Sequence, residues 1–188
     1  MPWARSALLA LAAAALLAGC DSGGAPPLPT GPAPPQSAAL DWVERFPADG
    51  PALVFSAHLF EVTSAGWRAE IELANDTSIP WEIQESPATQ FGVMLFPTDE
   101  VSEVEHRSKN DDLPGLREAQ SLEPTPPATL RPGKSWRGTM SAPGSLAAGL
   151  YVRIVFGRLV AVGDPPTGMP AQFSWITDHA YRLETGRG

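Results

Sequence analysis

Side chains able to do chemistry are sparse in this chain. It has one cysteine, Cys20, and three histidines, His58, His106 and His179. A metal centre needs several His, Cys, Asp or Glu ligands at characteristic spacings. No histidine here has a second histidine or a cysteine at such a spacing, so neither a metal nor another cofactor is expected. Serine catalysis has its own local marks, a Gly-x-Ser-x-Gly elbow or a Ser-x-x-Lys pair, and the chain has neither. Gly133-Lys134-Ser135 matches the end of a phosphate-binding loop, but that motif needs a glycine where Ala128 stands. The three residues read instead as a turn, with Pro132-Gly133 as the central pair of a type II turn. Asn110-Asp111-Asp112 offers oxygen ligands without the spaced acids and glycine of a calcium loop, and Glu100 to Asp112 reads as a solvated charged loop. No catalytic residue is assigned, and the chain is not expected to be an enzyme. The remaining lead is aromatic. Trp42, Trp67, Trp81, Trp136 and Trp175 are expected mostly in the core. Trp81 follows a proline near a strand edge and is the candidate for an exposed binding residue.

Composition narrows the classes further. The chain has 188 residues and a formal net charge of −8. Without a basic cluster, an acidic chain cannot track a phosphate backbone, so nucleic acid is not an expected partner. A single cysteine excludes an intrachain disulfide framework. Stability must come from burial, which a domain of about 150 residues can supply alone.

The N-terminus carries an address. Arg5 precedes an apolar run from Ala7 to Ala18, which is too short to span a bilayer and fits the core of a secretory signal. The run ends in Leu17-Ala18-Gly19-Cys20, which is similar to the lipobox of bacterial lipoproteins. The resemblance implies cleavage between Gly19 and Cys20 and a diacylglyceryl thioether on Cys20. Residues 1–19 are then a signal peptide, and Cys20 is the anchor to a bacterial cell membrane on its extracytoplasmic side. Residues 21–39 contain six prolines and three glycines without apolar periodicity. Residues 20–39 therefore read as a lipidated cysteine and a disordered linker. Polyproline II segments rise ~3.1 Å per residue, so the linker would hold a domain about 40–60 Å from the lipid.

Residues 40–188 read as one domain. Leu40 to Phe46 fits an incoming strand or a single helical turn. Leu53–Thr63 and Trp67–Ala74 alternate around Ser64-Ala65-Gly66, which predicts a hairpin with a three-residue loop and Gly66 in the left-handed region. That register pairs Thr63 with Trp67, Leu59 with Ile71 and Ala57 with Leu73. It puts Phe55, Ala57 and Leu59 on the core face, and His58, Arg68, Glu70 and Glu72 outside. Ile79–Ile83 follows the turn Asn75-Asp76-Thr77-Ser78, where Asn and Asp serve the backbone. Phe91–Phe96 is apolar enough for a central strand, and 97–127 is irregular. Lys134–Ser141 places Trp136, Gly138 and Met140 on one side. Gly149–Val162 aligns Val152, Ile154, Phe156, Val160 and Val162, with Arg158 interrupting. Gln172–Leu183 closes the domain. About seven to nine short antiparallel strands with frequent turns predict an all-β immunoglobulin-like sandwich.

Three patterns, IELANDTSIPWEI at 71–83, LRPGKSW at 130–136 and GLYVRIVF at 149–156, resemble bacterial immunoglobulin-like domains, including the BsuPI-type (intracellular proteinase inhibitor) family. The central 97–127 segment departs from that pattern, so no inhibitory loop is carried over. The leading expectation is a membrane-anchored, non-enzymatic interaction or assembly module that binds an envelope protein at loops or an edge strand. The alternatives are a glycan, peptide or small-ligand binder acting through Trp81, or a protease inhibitor by analogy of fold.

Overall fold

The computed structural model describes residues 31–83 and 91–186. Cys20, the expected signal peptide and most of the expected linker lie outside the described residues. Within them, twelve strands and one helix form two antiparallel sheets. The first sheet runs β1 (Gln36–Phe46), β2 (Leu53–Val62), β3 (Gly66–Asn75), β9 (Lys134–Pro143) and β7 (Ser121–Glu123). The second has β10 (Tyr151–Ala161) at its centre. On one side of β10 lie β5 (Gly92–Phe96) with β6 (Arg117–Glu118), and β4 (Trp81–Ile83) with β8 (Thr129–Leu130). β11 (Gln172–Ile176) and β12 (Tyr181–Arg182) also pair with β10. The inner faces meet through aromatic contacts such as Phe55–Phe156 and Phe55–Trp175, at 5.2 Å each. The fold is a β-sandwich. Its core is Phe55, Phe60, Ile71, Leu73, Trp81, Phe91, Ile154 and Phe156 with their neighbours. Each such side chain adds about 2 kcal/mol by leaving water.

β1 settles the Leu40–Phe46 alternative in favour of a strand. It also begins before the expected domain boundary. Ala33 is buried and its N–H reaches the Leu146 carbonyl at 2.7 Å. The folded domain therefore includes the last residues assigned to the linker.

The hairpin register differs from the expectation. Val62 pairs with Trp67, Ala57 with Ile71 and Phe55 with Leu73. The reason is a change of phase in the sequence. Leu53, Phe55 and Ala57 are buried at odd positions, while Phe60 and Val62 are buried at even ones. One extra residue must be absorbed between them, and His58 is that bulge. Leu59 is thereby only half-buried. β1 compensates with Leu40 and Asp41 set against His58, Asp41 adopting φ +51°. The turn spans Thr63 to Gly66, with the Thr63 hydroxyl accepting from the N–H groups of Ala65 and Gly66. Gly66 is needed for close approach, not for a left-handed backbone. A Cβ there would stand 2.1 Å from the Ala142 carbonyl oxygen.

β10 shows the same kind of bulge, between Phe156 and Leu159. Val152, Ile154 and Phe156 are core as expected, but Leu159 replaces Val160 in that row and Val162 is exposed. The segment expected as a charged loop contains α1 (Val101–Lys109), a helix with no buried residue. Pairs four residues apart, Glu103–Arg107 and Glu105–Lys109, support it locally. Its solvation is as expected; its conformation is not. Pro132-Gly133 forms the expected turn, with Gly133 at φ +68° and the Lys134 N–H bonded to the Arg131 carbonyl at 3.1 Å.

Candidate functional site

Three of the five buried polar side chains among the described residues, Glu44, Arg153 and Thr177, meet at the side of the sandwich where β1 faces β11, β12 and the strap between them. β1 is an edge strand whose inward row is Trp42, Glu44 and Phe46. Phe46 packs on Phe173 and Trp175, with ring centres 5.1 and 5.3 Å away. Glu44 stands in the same row and is buried. Its carboxylate accepts from Trp175 Nε1 (2.6 Å), the Asp178 N–H (3.0 Å), the His179 N–H (3.0 Å) and His179 Nδ1 (2.8 Å). A carboxylate only accepts, so it fixes the proton of His179 on Nδ1 and turns Nε2 away. The His179 ring lies on Trp42, 5.5 Å between centres and 20° from parallel.

Beneath the strap lies Arg153 of β10, which is fully buried. Its guanidinium donates to the carbonyls of Thr177 (2.7 Å), Asp178 and Asp99 (2.6 Å). It also stacks on Phe96, 5.5 Å from the ring centre. Arg153 thus ties the strap to the loop before α1. Desolvation lowers its affinity for the proton, while the Asp178 and Glu44 carboxylates oppose that effect. The Thr177 hydroxyl accepts from the Ile154 N–H and donates to the His179 carbonyl, at 3.0 Å each. That hydroxyl is thus committed to backbone on both sides. The arrangement is a rigid clamp.

Asp178 is held above its ordinary value, first by desolvation and then by the Glu44 carboxylate, with Arg153 and His179 opposing. The folded state therefore keeps this proton more tightly than the unfolded chain does. Ionisation costs stability as pH rises, and the penalty vanishes below the ordinary value of 3.8. Asp178→Asn is expected to be more stable than the parent at neutral pH, with the difference closing below pH 3.8. Urea unfolding at both pH values checks this, and a difference independent of pH would refute it.

Of the residues singled out from sequence, His179, Trp42 and Trp175 meet in the clamp, and the others are dispersed. Trp81 is fully buried: Phe173 meets it edge-on at 5.6 Å, and its Nε1 donates to the Thr77 hydroxyl at 3.1 Å. It offers no surface to a ligand, because the strand edge expected to expose it is covered by β8 and β10. Trp67 and Trp136 are also buried, and Trp42 and Trp175 are half-buried in the clamp. His58 is the β2 bulge, 3.7 Å from Glu72, and His106 lies on α1 beside Asn110. Among the described residues no group of three or more His, Cys, Asp or Glu is placed to hold a metal ion. The Asn75 turn serves the backbone as expected. Its side chain donates to the Ile79 and Leu130 carbonyls and accepts from the Thr77 N–H and hydroxyl. Glu44 and Arg153 went unnoticed in the sequence. The available signal was a charged residue in phase with the apolar row in Trp42-Val43-Glu44-Arg45-Phe46, and an arginine inside the apolar run Tyr151 to Phe156.

The fold and the clamp define a two-sheet antiparallel β-sandwich with a pinned edge strand. No family model, curated protein or solved structure matches the chain.

Proposed function

We propose that this protein is a bacterial lipoprotein, anchored through Cys20 on the extracytoplasmic side of a membrane, whose immunoglobulin-like sandwich is a non-enzymatic interaction module binding an envelope protein at β1. The observation that carries the binding mode is the open edge of β1. Among the described residues β1 pairs with β2 alone. It has eleven residues, against two to five for the other strands at sheet edges, β6, β7, β8, β11 and β12. An unpaired edge offers a row of N–H and C=O groups to an incoming strand. The clamp supports the reading, because Trp42, Glu44 and Phe46 hold the strand from inside and little ordering remains to be done on binding. Val43, on the outward side, is 62% exposed and is the most exposed of the large hydrophobic residues among those described. The lipobox resemblance supports the anchor, and the patterns at 71–83, 130–136 and 149–156 support the kinship with BsuPI-type domains.

Two experiments test this. Cys20→Ser is expected to move the protein from the membrane fraction to the soluble fraction; a variant that stays bound refutes lipid anchoring. A photocrosslinker at Val43 in intact cells is expected to capture a discrete envelope protein, while one at Thr139 on β9 is not. Equal yields at the two positions would overturn binding at β1.

A further inference from the structure

The charges around the open edge say what kind of strand it would take. From the side chains flanking Trp42–Phe46, we infer that β1 accepts an extended segment of another protein that alternates apolar and basic residues. The inference rests on the edge-strand reading above and adds the chemistry of the partner.

An added strand would continue the first sheet beyond β1 and lie over the strap at 177–180. Side chains alternate across a strand, so one row of the newcomer would face outward beside Val43 and the other inward toward the strap. The outward row meets Val43 and, two residues on, Arg45, which is paired with Asp76. The inward row meets the exposed Asp178 and His179. Around Asp178 stand Glu44 and Glu105, both acting to raise its proton affinity. Asp41 at the bulge is exposed, and Glu184 borders the start of β1 through its N–H bond to Gln36. The cations nearby are committed. Arg153 is buried on three carbonyls, Arg45 is 3.4 Å from Asp76, and Arg182 lies over the Tyr151 ring. Glu44 is buried and saturated by four donors, so it is the exposed carboxylates of Asp178, Asp41 and Glu184 that make this rim acidic, and a lysine or arginine from an added strand would complete the set. The same charge disfavours a second copy of this chain, whose net charge is −8. The Asp41 bulge limits the flat part of the edge to Trp42–Phe46 and so limits indiscriminate pairing.

The test uses the full chain carrying Cys20→Ser and three labelled ten-residue peptides. One repeats Val-Lys, one repeats Val-Glu, and the third is the Val-Lys peptide methylated on alternate backbone nitrogens. The Val-Lys peptide is expected to bind at least about tenfold more tightly than the other two. It is also expected to slow hydrogen exchange of the free-edge amides within Trp42–Phe46. Asp178→Asn is expected to weaken it about threefold without unfolding the chain. Equal binding of the methylated peptide would mean diffuse charge attraction and overturn the inference, as would binding of Val-Glu. A Val43 crosslink to a partner whose contacting segment is acidic would leave the edge-strand reading intact and sink the basic-strand assignment alone.

Discussion

Arg153→Met should cost about 3 kcal/mol of folding stability, one of the two largest effects expected of any single change in the strap region. Methionine has the length and apolar character to fill the stem of the site, so the loss is that of the guanidinium. Three carbonyls, of Thr177, Asp178 and Asp99, then lose a charged donor at once. Hydrogen bonds to a charged group contribute about 1.5–3 kcal/mol each in favourable cases, but two of these carbonyls belong to exposed residues and can regain water. That keeps the sum near the value of one or two full bonds. The positive charge is also lost beside Asp178 and Glu44, which leaves those carboxylates less balanced. Arg153→Lys should not restore stability, because a single ammonium cannot span the strap and the Asp99 loop as the planar fork does. Urea unfolding of parent, Arg153→Met and Arg153→Lys measures this. A loss below about 1 kcal/mol for Met, the scale of an exposed pair, would show that the guanidinium does not join the loops.

That residue also shows where sequence reasoning stops. Periodicity finds a strand because apolar residues repeat every second position, and it found β2, β3, β9 and β10 on that ground. It assumes an unbroken phase. The bulges at His58 and between Phe156 and Leu159 break it, and each moves the following residues to the other face. The mark was present in both cases. Phe60 and Val62 are out of step with Phe55 and Ala57, and Leu159 is out of step with Phe156. The turns at Asn75 and Pro132-Gly133 were readable because their chemistry is local. Trp81 was misplaced because strand-edge position was inferred from a neighbouring proline, whereas its burial depends on β8 and β10, distant in sequence. The clamp was invisible for the same reason. Glu44 finds its donors more than 130 residues away, at Trp175, Asp178 and His179, and no local pattern records such a distance.

Glu44→Ala is the other change expected to cost about 3 kcal/mol, and it tests the clamp directly. Alanine would leave the indole N–H of Trp175 and the backbone N–H groups of Asp178 and His179 without their acceptor. A buried donor left unpaired costs about 1–3 kcal/mol, and water can reach the strap only in part. Glu44→Gln should be milder, because the amide oxygen still accepts while its NH₂ faces donors it cannot satisfy. The order parent, Gln, Ala is therefore expected in urea unfolding. Trp175→Phe supplies the control that separates the pair from general packing. It keeps an aromatic ring near Phe55 and Phe46 but removes the Nε1 donor. If the bond carries the coupling, the double variant with Glu44→Ala should be less destabilised than the two single changes added, by about 1 kcal/mol. Full additivity would mean that the 2.6 Å contact contributes nothing specific to the clamp. The same substitutions should act on the strap before the core. Losing Glu44 should raise hydrogen exchange at Asp178 and His179 while the amides of Ile71 and Leu73, in β3 between β2 and β9, stay protected. Equal acceleration at both places would show that β1 and the strap open only with the whole sandwich.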